Sequence, residues 1–469
     1  MAQLTLQLLK GDKVDSRVDY RDGLPKNVSG VMRPVLGVDG YMLQQPGITL
    51  LGNGVGVDRG GIWNERFAAH YRLSATDFIE VSATGTYTSL GTILGLDTAS
   101  LPYSFQTQAI VVNFQYWLYD PVNLLRQITD PDLGAPIDAT WIDGYYVFTD
   151  GEYLYHTKIA DESQIDPLQF STSEFSPDPT VGVGRTTDNK LIAFNRYTTE
   201  YFYNQANEFF AFTRIPSRAV NYGLVATHAK AEIAGQWFFL GGPKEGDISV
   251  YALGVGQASS IASREVSQVI AQYTEAQLSE TTLETRIVDE YSYLILNLPN
   301  EVLLYNLNIG AAAGKEQAWS ILSSDVETGA KWRGLNGIFD PRISRWVYGD
   351  NQSGKIGYLN ELEATQYDVL VECELYTPFI YLESASVDLL KIDTIPGFNT
   401  VDDATLFLSM TYDGVAYGME VTLDYGAPGA YGKRLEAYRL GYVENWFGFK
   451  LRWASRSRMA FSRGVIDYG

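Results

Sequence analysis

The residue types from which enzymes build active sites are few in this sequence and lie far apart. Its three histidines, His70, His156 and His228, fall in separate segments, and its single cysteine, Cys373, lies in an apolar stretch typical of a strand. One cysteine excludes an internal disulfide and leaves few ligands for a soft metal. The motifs G-x-x-x-x-G-K-[ST], H-E-x-x-H and G-x-S-x-G are absent. We therefore predict a protein that is not an enzyme and needs no cofactor or metal.

One segment keeps an enzymatic alternative open. Residues 409–417, Ser-Met-Thr-Tyr-Asp-Gly-Val-Ala-Tyr, resemble the Asp-box of sialidase propellers, in which an aspartate caps the backbone amides of a hairpin turn. That role would make Asp413 structural. A glycosidase would need two carboxylates about 5–10 Å apart, and 56 Asp and Glu residues leave such a pair open. The alternative is therefore a receptor-binding or glycan-cleaving propeller protein.

A cluster of basic residues near the C-terminus is the clearest binding candidate. It occupies residues 433–463, which contain only two acidic residues, Glu436 and Glu444. The cluster can be a solvated strand face, or it can dock an acidic partner, including the acidic body of a neighbouring copy. Its members are Lys433, Arg434, Arg439, Lys450, Arg452, Arg456, Arg458 and Arg463.

The composition of the 469 residues predicts an all-β protein. Apolar residues make up 45%, enough for a sizeable core, and 32 Tyr, 21 Phe and 44 Gly favour pleated sheets joined by tight turns. The net charge of −21 should repel DNA, since DNA-binding surfaces neutralise phosphates with basic residues. The N-terminus lacks a signal peptide, and no apolar run reaches the ~20 residues of a membrane span. We expect a soluble protein made in a reducing cytoplasm, without membrane insertion.

Three parts are visible along the chain. Residues 1–55 contain turn formers and should be an irregular arm. Residues 56–365 repeat a pattern in which a polar turn precedes an apolar strand, and a second turn leads to a strand that ends in an aromatic residue. Residues 366–469 alternate apolar and polar positions, as expected for a small antiparallel sandwich. The aromatic residues that end the repeats are Tyr155, Tyr203, Tyr251, Tyr305 and Tyr358, spaced 48, 48, 54 and 53 residues apart.

A period near 50 residues with short strands is typical of β-propeller blades. Weaker copies around residues 67–81 and 109–128 bring the expected number to six or seven blades. A β-sandwich with hairpins of similar length is the alternative for this region. One segment departs from the pattern, because Val266, Val269, Ile270 and Tyr273 follow helical spacing and Ser263 can cap them. The predicted fold is thus a six- or seven-bladed propeller with one inserted short helix and a C-terminal β-sandwich.

A series of short segments, in order along nearly the whole chain, carries the most specific signal. They are Gly23-Leu24-Pro25-Lys26-Asn27, Gly40-Tyr41-Met42, Gln45-Pro46-Gly47-Ile48-Thr49, residues 251–262 with the helix that follows, residues 296–305, Gln317-Ala318-Trp319, Asp413-Gly414-Val415-Ala416-Tyr417-Gly418, Tyr431-Gly432-Lys433-Arg434 and Gly448-Phe449-Lys450-Leu451-Arg452. Together they resemble the tail accessory factors, or packaged-DNA stabilisation proteins, of short-tailed phages. Residues 57–220 resemble the family least.

This resemblance implies a structural subunit of the virion tail. The family forms a hexameric nozzle below the portal and its adaptor ring. A needle or plug protein docks at the distal end, and tail fibres or tailspikes attach at the side. The ring keeps DNA in the capsid and later lets it out, so DNA would pass through without specific binding. We further expect the acidic bulk to face that channel, with loops such as 130–132 and 161–162 as candidate lining.

Overall fold

The first residues of the chain form strands that pair with much later parts of the sequence. The computed structural model describes residues 2–8, 23–34, 37–159, 161–173, 175–402 and 404–469. The sequence predicted an irregular arm over residues 1–55, and this is wrong for the described part of that segment. Residues 28–31 pair with residues 41–44, but the other partners are hundreds of residues away, and local patterning does not reveal them. The strands are β1 (Ala2–Gln7), β2 (Val28–Val31), β3 (Tyr41–Gln44) and β4 (Gly47–Asn53).

Seven sheets, mainly antiparallel, follow one another in the described residues after β3. Sheets 1 to 4 have three or four strands each, and the strand nearest the N-terminus begins each sheet. Sheet 1 is β5 (Asp58–Asn64), β6 (Ala69–Ser74), β7 (Asp77–Val81) and β8 (Tyr87–Thr92); sheet 2 is β9 (Gln108–Val112), β10 (Gln115–Tyr119) and β11 (Arg126–Ile128); sheet 3 is β12 (Asp138–Ile142), β13 (Tyr145–Thr149), β14 (Tyr153–Lys158) and β15 (Asp161–Thr172); sheet 4 is β16 (Thr180–Arg185), β17 (Leu191–Asn195), β18 (Thr199–Asn204) and β19 (Phe212–Arg214).

The remaining three sheets are larger, and the last one takes a strand from the beginning of the chain. In sheet 7, β4 pairs antiparallel with the third strand, so the two ends of the repeat region share one sheet. Sheet 5 is β20 (Gly223–Leu224), β21 (Lys230–Ile233), β22 (Gln236–Gly242), β23 (Ser249–Gly254) and β24 (Gln257–Ser260); sheet 6 is β25 (Thr282–Val288), β26 (Tyr291–Asn297), β27 (Val302–Asn306), β28 (Trp319–Asp325) and β29 (Ala330–Lys331); sheet 7 is β30 (Gly334–Asp340), β31 (Arg345–Asp350), β32 (Lys355–Asn360), β4, β33 (Thr365–Gln366) and β34 (Val369–Leu370).

Buried side chains pack successive sheets against each other and close the series into a ring. One cluster joins sheets 3 and 4 through residues such as Val147 and Val183. Another joins sheet 7 back to sheet 1, where Val347 and Ile356 pack against Ile79. This circular order of face-to-face sheets is the β-propeller that the sequence period predicted. The aromatic residues that end each repeat lie in the third strands of sheets 3 to 7, namely β14, β18, β23, β27 and β32.

Local sequence explains the tight connections within these sheets. Asp143 and Gly144 join β12 to β13 with φ values of 52° and 89°. Positive φ at both central residues is the requirement of a type I′ turn, and Asp-Gly meets it at little steric cost. The two strands then pair in direct register from Ile142 and Tyr145 onward.

Three short α-helices interrupt the strands of the described residues, where the sequence predicted one. The predicted helix is α1 (Arg264–Ile270), whose N-cap Ser263 accepts a hydrogen bond from the Val266 amide. A second, α2 (Glu275–Leu278), follows directly and begins with a capping box at Thr274. The third, α3 (Leu307–Ala313), is capped by Asn306. It was missed because it is short and rich in alanine and glycine, without an amphipathic pattern.

The C-terminal residues form the predicted sandwich with help from the N-terminus. One sheet has the order β1-β43-β37-β40, and the facing sheet has the order β35-β41-β38-β39, with β36 also paired to β41. A third, small sheet joins β2, β3 and β42. The strands are β35 (Glu372–Tyr376), β36 (Ile380–Tyr381), β37 (Ala385–Asp393), β38 (Thr405–Thr411), β39 (Val421–Leu423), β40 (Leu435–Val443), β41 (Trp446–Ala454), β42 (Ala460–Phe461) and β43 (Arg463–Tyr468).

Candidate docking surface

The eight basic residues predicted to dock a partner are spread over both sheets of the sandwich. Lys433 and Arg434 precede β40, and Arg439 lies within it. Lys450 and Arg452 lie on β41 of the facing sheet, while Arg456 and Arg458 follow that strand and Arg463 begins β43. The sequence cluster is therefore not a single continuous face.

Arg452 and Lys450 are engaged with carboxylates of neighbouring strands. The Arg452 guanidinium donates to Glu372 at 2.7 Å and to Glu420 at 2.8 Å. Lys450 Nζ lies 3.9 Å from Glu374 and 4.9 Å from the centre of the Tyr417 ring. These contacts connect β41 to β35 and to the hairpin after β38. Both cations therefore stabilise the sandwich by pairing with carboxylates of the same chain.

Arg458 and Arg463 also bond within the chain. Arg458 Nε donates to the Gln44 carbonyl at 2.9 Å, and its Nη1 donates to the Glu361 carbonyl at 3.1 Å. Burial lowers the pKa of Arg458. Arg463 Nε lies 2.5 Å from the Asp393 carboxylate. Arg458 thus joins the N-terminal strands, the end of the propeller and the sandwich, and is not available as a surface charge.

Three exposed members of the cluster lie on β40 or directly before it. The Arg434 side chain is 81% exposed and lies 4.0 Å from Glu436. Lys433 pairs with Asp424 on the surface, and Arg439 is exposed. Arg456 is exposed as well. We call Lys433, Arg434 and Arg439, which lie on β40 or directly before it, the exposed basic group.

The other residues that could carry chemistry, Asp413, Cys373 and His228, have the surroundings of structural residues. Asp413 Oδ1 accepts hydrogen bonds from the Val415 and Ala416 amides at 2.8 and 2.9 Å, as an Asp-box aspartate does. These amides lower the pKa of its carboxyl. Burial raises the pKa of the Cys373 thiol and lowers the pKa of His228 to about 4. No group of His, Cys, Asp or Glu within the described residues could hold a metal ion.

Charged side chains are buried where sheets 7 and 1 meet. Arg72 Nε lies 2.7 Å from Asp58 Oδ2, and Arg72 also donates to the Asn336 carbonyl at 2.7 Å. Burial raises the pKa of Asp58 to about 6, although Arg72 opposes that shift. Nearby, His70 contacts Asp340 at 3.3 Å, and burial lowers the pKa of His70 to about 4. This network joins the first and last sheets of the ring.

A cavity of about 1370 Å³ opens at the centre of the propeller. The first strands of the sheets line it, and aromatic and charged residues near the ends of those strands surround its mouth. Sequence reasoning missed it because its residues are scattered from position 60 to position 346. We call this cavity the central funnel. The residues at its mouth are Trp63, Phe105, Trp141, Trp237, Phe339 and Trp346, together with Glu65, Arg66, Arg185 and Glu232.

Two family models together cover most of the chain. The one described as "Bacteriophage P22 Gp10, beta-propeller" matches residues 4–364, and the one described as "Bacteriophage P22 Gp10, beta-sandwich" matches residues 372–469. The chain belongs to this family. A curated relative, "Tail hub protein gp10" of Salmonella phage P22, is 29% identical over 97% of this chain and 98% of its own length. The chain is therefore a structural protein of a phage tail and a component of the virion.

Solved structures show only distant similarity. The N-terminal domain of Nup159 has a TM-score of 0.42 at 8% identity, covering 72% of this chain and 99% of that one. A catalytically inactive virginiamycin B lyase from Staphylococcus aureus has a TM-score of 0.44 at 12% identity, covering 68% and 99%. Similarity at this level carries no argument about the function of this P22 Gp10 family member.

The loops predicted to line a DNA channel use their carboxylates locally. Asp130 accepts hydrogen bonds from the Asp132 amide at 2.9 Å and from the Ile165 amide at 3.3 Å. Asp161 accepts from Ser163, and Glu162 accepts from Thr107 at 2.6 Å. Asp130, Asp161 and Glu162 do not line the central funnel. No described helix of this family member has the length and apolar character that crossing a membrane requires.

Proposed function

We propose that this protein is the tail nozzle subunit of a short-tailed phage. In this proposal a homohexameric ring sits below the portal and its adaptor, stabilises packaged DNA in the capsid and forms the ejection channel. The observation that supports it best is the alignment with a tail hub protein over 97% of this chain and 98% of the relative. Both the propeller and the sandwich are matched, so the two chains share their whole architecture.

The decisive experiment removes the protein from the assembling virion. Particles made without this chain should package DNA and then lose it, because the channel below the adaptor stays open. The measurement is the DNA content of purified particles, with the gene restored in trans as the control. Particles that lack this chain but retain full-length DNA would refute the nozzle role.

We further propose that the exposed basic group docks an acidic partner, either the portal-adaptor ring or the acidic body of a neighbouring copy. Lys433, Arg434 and Arg439 are exposed, whereas Arg452 and Arg458 are held by intrachain bonds whose loss would confuse the result. Opposite charges across an interface steer association and fix register. In this proposal a needle or plug protein docks at the distal end of the ring, and tail fibres or tailspikes attach at its side.

Charge reversal tests this docking role. The triple variant Lys433→Glu, Arg434→Glu, Arg439→Glu should weaken assembly onto the adaptor and reduce its salt dependence. A matched triple, Lys158→Glu, Lys190→Glu, Lys244→Glu, changes the same charge on the propeller and should leave assembly intact. Equal behaviour of the two variants in sedimentation with the adaptor ring would contradict the proposal.

The acidic character of the chain suits a channel that conducts DNA without gripping it. Each copy carries a net charge of −21, and like charges at short range repel phosphates without releasing counterions that would favour binding. Retention of DNA would then depend on a physical plug. Assembled rings should bind double-stranded DNA weakly even at low salt. Sub-micromolar binding that falls steeply with added salt would reveal a basic lumen and end this hypothesis.

A further inference from the structure

The central funnel has features of a ligand site that the tail nozzle role does not use. Its volume of about 1370 Å³ exceeds the ~300–1,000 Å³ typical of small-molecule pockets. Phe105 is 70% exposed and Phe339 is 44% exposed at its mouth. Large aromatic side chains clustered on an exposed concave surface mark interaction sites more often than chance. The funnel has room for a ligand of several units.

Two of its tryptophans are held in fixed orientations by the neighbouring sheets. Trp237 Nε1 donates to the Arg185 carbonyl at 3.0 Å, and Trp346 Nε1 donates to the Ile287 carbonyl at 2.7 Å. In each case a residue at the start of one sheet's second strand bonds to the first strand of the preceding sheet. The indole N–H is thereby satisfied within the protein. The hydrocarbon rings remain for contact with a ligand, and little rotamer freedom is left to lose on binding.

Other aromatic rings at the mouth pack directly against one another. Phe105 packs edge-on against Trp141 with ring centres 5.1 Å apart, and Arg185 lies 6.0 Å from the centre of the Trp141 ring. Phe339 and Trp346 pack edge-on at 6.0 Å. The rings at the mouth thus belong to sheets 1, 3, 5 and 7 and to the loop before sheet 2.

The charges at the mouth select among ligand classes. Glu65, Glu232, Arg66 and Arg185 are exposed there, two acidic and two basic. Other charged residues that line the funnel are engaged within the protein, since Lys230 lies 2.7 Å from Asp138 and Glu284 accepts hydrogen bonds from the Asn336 and Gly337 amides. The two acidic and two basic charges at the mouth cancel, and the whole chain has a net charge of −21. The mouth therefore does not suit a polyanion such as nucleic acid. A mouth that combines rings with charged donors and acceptors does not suit a purely apolar ligand either.

We propose that the central funnel binds a saccharide chain. Sugar rings offer apolar C–H faces that stack on aromatic side chains, and hydroxyl groups that both donate and accept hydrogen bonds at carboxylates and guanidinium groups. The combination of exposed rings and charged side chains at the funnel mouth matches that pattern. A bound polypeptide would instead favour a continuous apolar groove. The proposal concerns binding and assigns no hydrolysis to the site.

The test uses the purified full chain on an array of bacterial O-polysaccharides and capsular polysaccharides. The wild type should bind at least one of them, and Phe105→Ala should reduce the affinity about tenfold by removing one stacking surface. Phe105→Tyr should retain binding. The matched control is Phe114→Ala, since Phe114 is 63% exposed in the turn between β9 and β10 and does not line the funnel. Phe105 is so exposed that its loss should leave the fold intact.

Two array results would overturn the proposal. One is binding to none of the polysaccharides, and the other is binding that Phe105→Ala leaves unchanged. A displayed random-peptide library provides the competing outcome. Peptides that bind the wild type but not Phe105→Ala, together with a blank polysaccharide array, would assign the funnel to a polypeptide. Neither result depends on ring assembly or DNA retention, so the nozzle proposal would stand or fall separately.

Discussion

Replacing Arg72 by methionine should destabilise the propeller more than any surface charge change. The Arg72 side chain is fully buried, and it lies 2.7 Å from an Asp58 carboxylate that is itself 4% exposed. Methionine would keep much of the volume. Among the described residues it would leave Asp58 with hydrogen bonds from Asn336 and from the Gly60 amide. It would also remove the donor to the Asn336 carbonyl. Breaking a buried ion pair from one side costs ~3–5 kcal/mol, so we expect a loss of that size.

A matched variant separates burial from ion pairing as such. Arg126 also lies 2.7 Å from its carboxylate, Asp120, but the Arg126 side chain is 34% exposed. Arg126→Met should therefore cost only ~0–1 kcal/mol. The double variant Arg72→Met, Asp58→Asn should recover part of the stability, because the uncompensated charge is removed together with its partner.

The assay is urea unfolding followed by tryptophan fluorescence at pH 7.5, with the four proteins compared under identical conditions. The free energy of unfolding should rank wild type and Arg126→Met together, the double variant next, and Arg72→Met lowest. Equal losses for Arg72→Met and Arg126→Met would show that burial of the pair is not what matters. That result would refute the reasoning.

Three further predictions concern the core, the acid stability and a helix cap. Tyr293→Ala should cost ~3–5 kcal/mol in urea because Tyr293 is buried, and half-buried Trp237→Ala should cost less; similar losses would contradict the burial argument. His228 has its folded pKa lowered to about 4, below the unfolded 6.5, so its stability contribution is present above pH 6.5 and lost as the pH falls toward 4. His228→Gln should remove about 3 kcal/mol of that acid sensitivity, measured by urea midpoints from pH 7 to pH 4, and parallel curves would disprove it. Ser263→Ala should cost ~1 kcal/mol by removing the α1 cap, and an unchanged midpoint would show that the cap is dispensable.

The repeating part of the fold was predictable because each sheet is built from neighbouring residues. Tyr155 and Tyr251 recur at the same place in the third strands β14 and β23, and each stacks on a phenylalanine of the second strand, Phe148 or Phe239. Because each sheet repeats the same packing environment, the residues that fill it recur along the sequence with the same period. The period of about 50 residues therefore survives even where the loops differ in length.

The N-terminal strands were not predictable for the opposite reason. β1 pairs with residues 463–468, and β4 pairs with residues 355–360. The local sequence of residues 1–55 does not indicate that these distant segments are its pairing partners. Turn formers such as Pro25 and Pro46 stand out there. The strands β2 and β3 between them pair with each other, but β3 also pairs with β42 near the C-terminus.

The basic cluster shows a second limit of sequence reasoning. Arg452 and Lys450 are close to Arg439 in sequence, but strand pairing places them on the facing sheet. Their carboxylate partners, Glu372, Glu374 and Glu420, come from outside the segment that defined the cluster. Charge density along a sequence therefore overstates charge density on a surface when distant strands supply the counter-charges.

The propeller and the sandwich are joined too extensively to move as independent domains. The segment at Lys26 and Asn27 bridges β28 of the propeller, through the Ile321 carbonyl, and β35 of the sandwich, through Glu374. One hydrophobic cluster runs without a break from Leu240 and Trp319 in the propeller to Trp453 in the sandwich.

Polar contacts reinforce this junction from both sides. The Gln44 side chain accepts a hydrogen bond from the Trp453 indole at 3.0 Å, and the Gln44 carbonyl accepts one from Arg458. The adjacent Gln45 accepts a hydrogen bond from Arg286 of the propeller at 2.5 Å. The N-terminal segment is thus packed between the two domains and hydrogen-bonded to both. A displacement of the sandwich by a docked partner would have to break these buried contacts or carry the propeller with it. Since packed interiors resist gradual deformation, a force applied at the sandwich should reach the propeller as a rigid-body movement.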